Sequence, residues 1–392
     1  MTKDDGEATA LFEPLMIGES SPKRGPLNDL ALELAEQSAA FSARLPGTIA
    51  SALADLVRAI NCYYSNLIEG HDTHPIDIER ALQGDYSANP KKSDLQLEAK
   101  AHITVQRWID EGGLQEPVTA PASIAELHRR FCELLPDDLL YVEDPVNKER
   151  LPVVPGQLRE RDVQVGRHVP PSPGALPRFL NRLHQAYQHG GRTQAILAAA
   201  CAHHRLLWLH PFIDGNGRVA RLMSYAMLRD TLDIRGLWSV ARGLARQERI
   251  YKEKLQACDS PRRGDVDGRG NLSEAALASF TEFFLRTCLD QVDFMSVLMQ
   301  PDRLRDRIMI WTEEEMRAGA LPPKSDLVLK AILYQGALER GMVATTLGMS
   351  ERAARRVTSA LLNAGAITSK SIRAPLHLAL PAKYAERWLP GR

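Results

Sequence analysis

The 392-residue chain has little that would tie it to an oxidising compartment or to a membrane. It contains five cysteines, an odd number without a Cys-x-x-Cys pair, which excludes a disulfide framework and indicates reduced thiols. No apolar run approaches the roughly 18 residues of a membrane span, and the N-terminal residues lack the apolar core of a secretion signal. We therefore expect a cytoplasmic protein without a membrane anchor.

An excess of charge of either sign is also absent. The chain carries 49 Lys and Arg against 49 Asp and Glu, a formal net charge of +0. This balance excludes a whole-chain field that would attract nucleic acid. Hydrophobic residues make up 44% and charged residues 25% of the chain, which is typical of globular domains. At this length we expect two or three domains, each with its own core.

The apolar pattern of the first third of the chain predicts helices. Apolar residues recur with helical spacing through residues 27–45, 49–68, 77–82, 95–110 and 123–134. The pattern changes between residues 151 and 179, where Val163 and Val165 alternate around Gln164 and a Pro-rich stretch follows. This change predicts a short β-hairpin, a flap whose free edge can pair with an extended target segment. A packed surface loop is the alternative.

The densest chemistry lies between His210 and Arg221, where the sequence reads HPFIDGNGRVAR. Gly215 and Gly217 let backbone N–H groups approach an anion, and an apolar helical pattern follows at once, as in phosphate sites at helix N-termini. Arg218 and Arg221 are three residues apart and share one helix face. Asp214 offers a carboxylate oxygen for Mg²⁺, and His210 can accept a proton near neutral pH. Together these groups suit a polyphosphate bound beside a base.

This string resembles the signature motif of Fic-domain proteins, His-Pro-Phe-x-Asp-Gly-Asn-Gly-Arg-x-x-Arg, with every specified position filled. Fic enzymes mostly transfer AMP from ATP to a hydroxyl group of a target protein. The resemblance implies that His210 deprotonates the target hydroxyl, that Asp214 holds Mg²⁺ on the ATP phosphates and that Arg221 reaches the γ-phosphate. It also implies that the anion cradle consists of Gly215, Asn216, Gly217 and Arg218.

A second string, Ser65 to Gly70, reads SNLIEG and closes the helical pattern of residues 49–68. Ser65 and Glu69 are four apart on one helix face, and Gly70 suits a helix cap. Taken alone, this is a surface Ser/Glu pair before a cap. It also resembles the Ser/Thr-x-x-x-Glu-Gly/Asn inhibitory motif of the class II Fic proteins, in which the glutamate pairs with the second motif arginine. The resemblance implies that Glu69 pairs with Arg221 and blocks the γ-phosphate.

A further helix is predicted from Arg246 to about Ala257. In Fic proteins this neighbourhood lines the adenine pocket, so the resemblance makes Gln247 and Tyr251 candidate nucleotide contacts. A solvated glutamine and a core tyrosine are the alternative.

The last segment has the order of a winged helix-turn-helix. Helical patterns at residues 326–334, 342–347 and 351–363 precede strand-like patterns at 367–372 and 377–380. The basic residues of this segment are Arg352, Arg355, Arg356, Lys370 and Arg373. They make DNA a candidate partner, and protein contact or packing against the core is the alternative.

We predict a mainly α protein with a Fic-type helical core, a β-hairpin flap and a C-terminal winged helix-turn-helix domain. The predicted parts are an N-terminal helical region with the inhibitory helix (1–115), the Fic core (116–300), a linker (301–324) and the winged helix (325–392). The expected reaction is AMP transfer from ATP, with Mg²⁺, to a Ser, Thr or Tyr hydroxyl of a protein substrate, which can be the chain itself.

Two other functions stay open at this point. The same site can remove AMP from a modified protein, with Glu69 positioning water. Alternatively, the chain is a DNA-binding regulator whose Fic core senses ATP. A homodimer is compatible with the sequence.

Overall fold

The computed structural model describes residues 2–45, 47–72, 75–82, 84–144, 148–234 and 236–389. The chain divides into two compact units. The first comprises Met1–Ala39, Ile60–Ile234 and Ser239–Gln291, and the second comprises Ala40–Ala59, Arg235–Trp238 and Val292–Arg392. Within the described residues, no helix is both long and apolar enough to cross a membrane.

Helices dominate both units, which confirms the predicted mainly α class. From the N-terminus to the end of the signature motif the helices are α1 (Arg24–Arg44), α2 (Gly47–Ile68), α3 (Pro75–Leu82), α4 (Pro90–Asp110), α5 (Pro121–Cys132), α6 (Leu176–Tyr187), α7 (Arg192–Leu209) and α8 (Asn216–Leu232). They are followed by α9 (Ala241–Arg246), α10 (Glu248–Cys258), α11 (Glu274–Leu298), α12 (Pro301–Arg317), α13 (Ser325–Gln335), α14 (Val343–Leu347), α15 (Glu351–Asn363) and α16 (Ala385–Trp388). The short strands are β1 (Tyr141–Glu143), β2 (Arg150–Pro152), β3 (Ile367–Thr368) and β4 (His377–Leu378).

The centre of the first unit is the antiparallel pair α7 and α8, against which α4, α5 and α6 pack. Helix α7 is rich in alanine and is buried along most of its length, as its apolar composition dictates. It ends at Leu209, with His210 as its cap, because Pro211 cannot continue a helix and disfavours the helical conformation in the residue before it. Helix α8 begins after Gly215, whose φ of 80° is easily reached only by glycine. The two helices therefore hold the loop between them at a fixed place.

The predicted N-terminal region does not form a unit of its own. Its first residues pack on α6, where Arg178 pairs with Asp4 at 2.5 Å and Arg182 pairs with Glu13 at 2.7 Å. The structure therefore joins most of residues 1–115 to the core that was predicted to begin at residue 116.

The β-structure of the first unit differs from the prediction. The hairpin of β1 and β2 lies earlier in the chain, with Tyr141 opposite Pro152. In the predicted flap, Val163 and Gln164 are not in a strand, and Val165 forms a single bridge with His168. Both hydrogen bonds of that bridge are present, at 2.9 and 3.0 Å, around the turn at Gly166. The flap is thus a one-pair hairpin, because the Pro-rich stretch that follows cannot extend a ladder.

The second unit holds helices α12 to α16 and the antiparallel pair β3 and β4, whose register sets Ile367 opposite Leu378. The prediction of a linker over residues 301–324 is wrong for α12, whose residues Leu304, Ile308 and Trp311 form one buried face. The predicted element order of residues 325–392 is present, with shorter strands than expected. Three exposed arginines on α15, here called the α15 arginines, are Arg352, Arg355 and Arg356.

Candidate active site

A cavity of about 990 Å³ opens in the first unit beside the loop between α7 and α8. Its walls include His210 from that loop, Gly217 and Arg221 from the first turns of α8, and Glu69 from the end of α2. We call it the central cavity. It brings together His210, Gly217, Arg221 and Glu69, whereas the other residues of the predicted cradle, Gly215, Asn216 and Arg218, are not among its lining residues.

His210 has a strained backbone conformation at the start of the loop between α7 and α8. Its backbone is left-handed, with φ 46° and ψ 60°, and its N–H caps α7 on the Leu206 carbonyl at 3.0 Å. Burial, together with the nearby charge of Arg159, lowers the pKa of His210 to about 4. The imidazole is therefore neutral at physiological pH and able to accept a proton.

Sequence reasoning missed Arg159, which clamps the same loop. Its side chain is only 2% exposed, its Nε donates to the His210 carbonyl at 2.8 Å, and its Nη1 donates to the Arg161 carbonyl at 2.8 Å. Its backbone N–H bonds the Pro211 carbonyl at 2.9 Å. Arg159 thus ties the base of the flap to the segment that carries His210.

Asn216 has a structural place in the loop. Its side-chain oxygen accepts from the Phe212 N–H at 3.0 Å, and its amide donates to the Phe212 carbonyl at 2.9 Å. Phe212 in turn stacks on His128 of α5 with ring centroids 3.9 Å apart. The Asn216 side chain therefore holds the loop in shape, and the backbone of Gly215 and Gly217, which carries no side chain, is the part available to an anion.

Arg221 and Glu69 meet as the inhibitory motif predicts. The Arg221 Nη2 lies 2.5 Å from the Glu69 carboxylate, and its Nε donates to the Ser65 hydroxyl at 2.8 Å. Burial raises the pKa of Glu69, but the charge and hydrogen bond of Arg221, together with the charges of Arg218 and His71, outweigh burial and hold that pKa below its ordinary value. Gly70 follows with φ 86°, which confirms the predicted cap. A Cβ at Gly217 would collide with the Glu69 carboxylate, so a side chain at this position would force the carboxylate to shift.

Arg218 was predicted to belong to the anion cradle, but its side chain does not line the central cavity. It is 7% exposed, bonds the buried Glu98 carboxylate of α4, and pairs with Asp214 at 2.7 Å. The second oxygen of Glu98 lies 2.7 Å from the Nδ1 atom of His71. Nothing in the sequence spacing marked Glu98 or His71.

Asp214 keeps about half of its side chain exposed at the N-terminus of α8. In the described parts of the chain, no group of three or more His, Cys, Asp or Glu side chains is placed to hold a metal ion. A single exposed carboxylate fits Mg²⁺, which commonly binds one or two carboxylates together with substrate phosphates.

The remaining predicted site residues differ in whether they line the central cavity. Tyr251 lines the central cavity with its ring buried, and its hydroxyl lies 2.7 Å from His203. Gln247 joins α9 to α10 and is not among the residues that line the described cavity wall. Of the flap residues, Val165 contributes to the wall and is 42% exposed.

Burial keeps several imidazoles around this site neutral. The set that we call the buried histidines comprises His102, His128, His203 and His204. Burial lowers their pKa values to between about 3 and about 4.

Comparison with known proteins agrees with this geometry. Residues 117–228, from just before α5 into α8, match the Fic/DOC family. The chain is 30% identical over 168 residues to the protein adenylyltransferases Fic of Drosophila yakuba and Drosophila virilis. Each match covers 42% of this chain and only 31% or 32% of the relative, so this chain aligns with about a third of their length.

Solved structures show the same fold. A Fic family protein from Desulfovibrio desulfuricans G20 superposes with a TM-score of 0.53 at 16% identity, over 93% of this chain and 98% of that one. Fic-1 from C. elegans gives 0.51 at 17% identity, over 70% and 73% of the two chains. The chain therefore has the fold of these Fic proteins, and its match to the Fic/DOC family lies within residues 117–228.

Proposed function

We propose that this Fic-domain chain is a protein adenylyltransferase that moves AMP from ATP to a Ser, Thr or Tyr hydroxyl of a target protein, and that Glu69 restrains it. The observation that carries the proposal is the central cavity, in which a neutral His210, the bare backbone of Gly217 and the inhibited Arg221 face one space. These are the groups that an in-line attack on a nucleotide requires: a base, an anion cradle and a phosphate anchor.

In the proposed reaction the target hydroxyl oxygen attacks the α-phosphorus, and the bond to the bridging oxygen of the β-phosphate breaks. His210 takes the hydroxyl proton. General-base catalysis of this kind contributes about 10²–10⁴-fold in rate. The glycine backbone of the cradle and the N-terminus of α8 stabilise charge on the phosphates. Mg²⁺ held at Asp214 with the nucleotide would neutralise further phosphate charge. Pyrophosphate is the leaving group.

Glu69 opposes this reaction by its position. Its carboxylate neutralises Arg221 and lies against Gly217, where a terminal phosphate would otherwise sit. ATP bound beside it would have its α-phosphorus out of line with the attacking oxygen. The inhibited state is therefore the resting state of the protein.

The test is transfer from labelled ATP, followed by mass spectrometry of the protein and of candidate targets. Label in the α-phosphate is expected to enter protein, and label in the γ-phosphate is not. The His210→Ala variant is the matched control and is expected to incorporate neither. Incorporation of γ-label would identify a kinase and overturn the proposal.

AMP removal is the second candidate, since Glu69 and His210 line the same cavity and a carboxylate there can orient water. The two directions are separated by giving the protein an AMP-modified target with no ATP. Release of AMP that is lost in Glu69→Gly, without any gain of transfer, would favour removal.

A further inference from the structure

A buried carboxylate stands outside both sequence motifs and yet reaches the signature helix. Glu98 of α4 is 3% exposed. One of its oxygens bonds Nη1 of Arg218, and the other lies 2.7 Å from Nδ1 of His71. Arg218 carries the contact onward, because its Nη2 donates to the Asp214 carboxylate at 2.7 Å. Glu98, Arg218 and Asp214 thus form one carboxylate–guanidinium–carboxylate relay.

Stability alone does not account for this relay. Buried ion pairs are often no more stabilising than well-packed apolar side chains of similar volume. Asp214 lies just before α8 and Arg218 in its first turn, and the two pair at 2.7 Å without needing a third residue. Glu98 adds a fixed orientation. The guanidinium of Arg218 is held by Glu98 and also lies over the Phe131 ring, 4.9 Å from its centroid, so it presents its remaining edge to Asp214.

The relay also reaches the inhibitory segment. His71 comes two residues after Glu69, and its backbone N–H bonds the Asn66 carbonyl at 2.9 Å to close the end of α2. Its ring is bound to the same carboxylate that orients Arg218. Glu98 therefore fixes two things at once, the guanidinium behind Asp214 and the chain segment that carries Glu69.

On the basis of the proposed transfer reaction, we propose that Glu98 is a positioning residue that sets Asp214 for metal-bound nucleotide through Arg218 and anchors the inhibitory segment through His71. Asp214 fits this role because half of its side chain is open while one oxygen is held by Arg218. Outer partners of a metal ligand commonly change metal affinity or activity by about 10–100-fold when replaced.

The test uses the full chain in a His210→Ala background, where ATP binding can be followed without turnover. Calorimetry measures the Mg²⁺ concentration that gives half of the Mg²⁺-dependent gain in ATP affinity. Glu98→Gln keeps the side-chain volume and removes the charge. It is expected to raise that concentration by about 10–100-fold, while ATP affinity in EDTA stays equal or increases because Arg218 loses a counter-charge.

Hydrogen exchange supplies the second readout. Glu98→Gln is expected to speed exchange in residues 66–72, because it releases His71. The His71→Gln variant is expected to speed the same exchange and leave the Mg²⁺ dependence unchanged. Asp94→Asn, a half-buried carboxylate on the same helix, is the matched control and is expected to alter neither.

An unchanged Mg²⁺ dependence in folded Glu98→Gln overturns the inference while leaving the transfer reaction intact. If Glu98→Gln does not fold, Glu98→Asp takes its place, since it keeps the charge and withdraws it by one methylene. Parental Mg²⁺ dependence in that variant likewise overturns the inference. If the His210→Ala parent binds no ATP at all, the proposed function itself fails.

Discussion

Glu69→Gly removes the carboxylate that lies against Gly217 and Arg221, and the geometry of these contacts determines the expected result. The Glu69 oxygen lies 2.5 Å from Nη2 of Arg221 and so close to Gly217 that even a Cβ there would collide with it. A phosphate oxygen cannot share that position. Removing the carboxylate frees both the space and the guanidinium, while the Ser65 hydroxyl still holds Arg221 at 2.8 Å.

The expected gain in rate follows from alignment. A displacement of about 1 Å at the reacting atoms can cost about 10²-fold, so we expect Glu69→Gly to raise transfer by about two orders of magnitude. Stability should fall. Hydrogen bonds to charged groups are worth about 1.5–3 kcal/mol, but Glu69 is 32% exposed and water screens the pair. We therefore expect the free energy of unfolding to drop by only about 1–2 kcal/mol.

The assay is incorporation of α-labelled AMP into the protein itself and into candidate targets, with urea unfolding measured on the same samples. Glu69→Gln is the matched variant: it keeps the volume and removes the charge, so its gain should be smaller if the blocked space matters. Arg221→Ala should not copy the gain, because the γ-phosphate then lacks its anchor. A Glu69→Gly protein that is no more active than its parent refutes the inhibitory role of Glu69.

Four further outcomes are expected. His210→Ala should abolish transfer and leave the dissociation constant for ATP within a few-fold, since the base acts on the acceptor hydroxyl; an equal loss of binding contradicts that role. Asp214→Ala should weaken Mg²⁺-dependent turnover and ATP binding together, and full activity in EDTA would remove the metal from the reaction. The buried histidines have pKa values of about 3 to about 4, below the unfolded value of about 6.5, so the unfolded chain binds more protons and stability falls as pH drops below about 6.5. His71, with its pKa raised by Glu98, offsets this only in part; each buried histidine contributes about 3–5 kcal/mol in full, so circular dichroism should show unfolding before pH 4, and a native spectrum there contradicts their neutral burial. Alanine at all three α15 arginines should abolish any DNA shift in a gel and leave AMP transfer unchanged, whereas equal DNA binding by both proteins rules out that helix face.

The parts of the site that were predictable are those adjacent in sequence. The string from His210 to Arg221 predicts a loop between two helices, because its proline ends the first helix and its glycine precedes the second. Glu69 and Arg221 are 152 residues apart in the chain. Their pairing was predicted only from the resemblance to the inhibitory motif, which names both partners. Arg159 and Glu98 gave no such signal. Each is a charged residue in a polar stretch, and only the fold reveals that it is buried.

The errors in the fold have a similar physical origin. Alternation of Val163 and Val165 is too short to specify a pairing partner, and the structure pairs Val165 with His168 only. Residues 301–317 read as a charged linker because charged residues of both signs surround the apolar ones. Leu304, Ile308 and Trp311 nevertheless recur at intervals of four and three, the spacing of a buried helix face.

The two arginines of the signature motif show why exposure decides their roles. Both pair with a glutamate, but the side chain of Glu98 is 4% exposed and that of Glu69 is 32% exposed. Displacing Glu98 would leave a charge buried without a partner, which is strongly unfavourable. Displacing Glu69 moves a carboxylate that already contacts water, and an incoming phosphate replaces its charge at Arg221. An anion entering the cavity is therefore expected to compete with Glu69 alone, so Arg221 is the exchangeable anchor while Arg218 stays fixed behind Asp214.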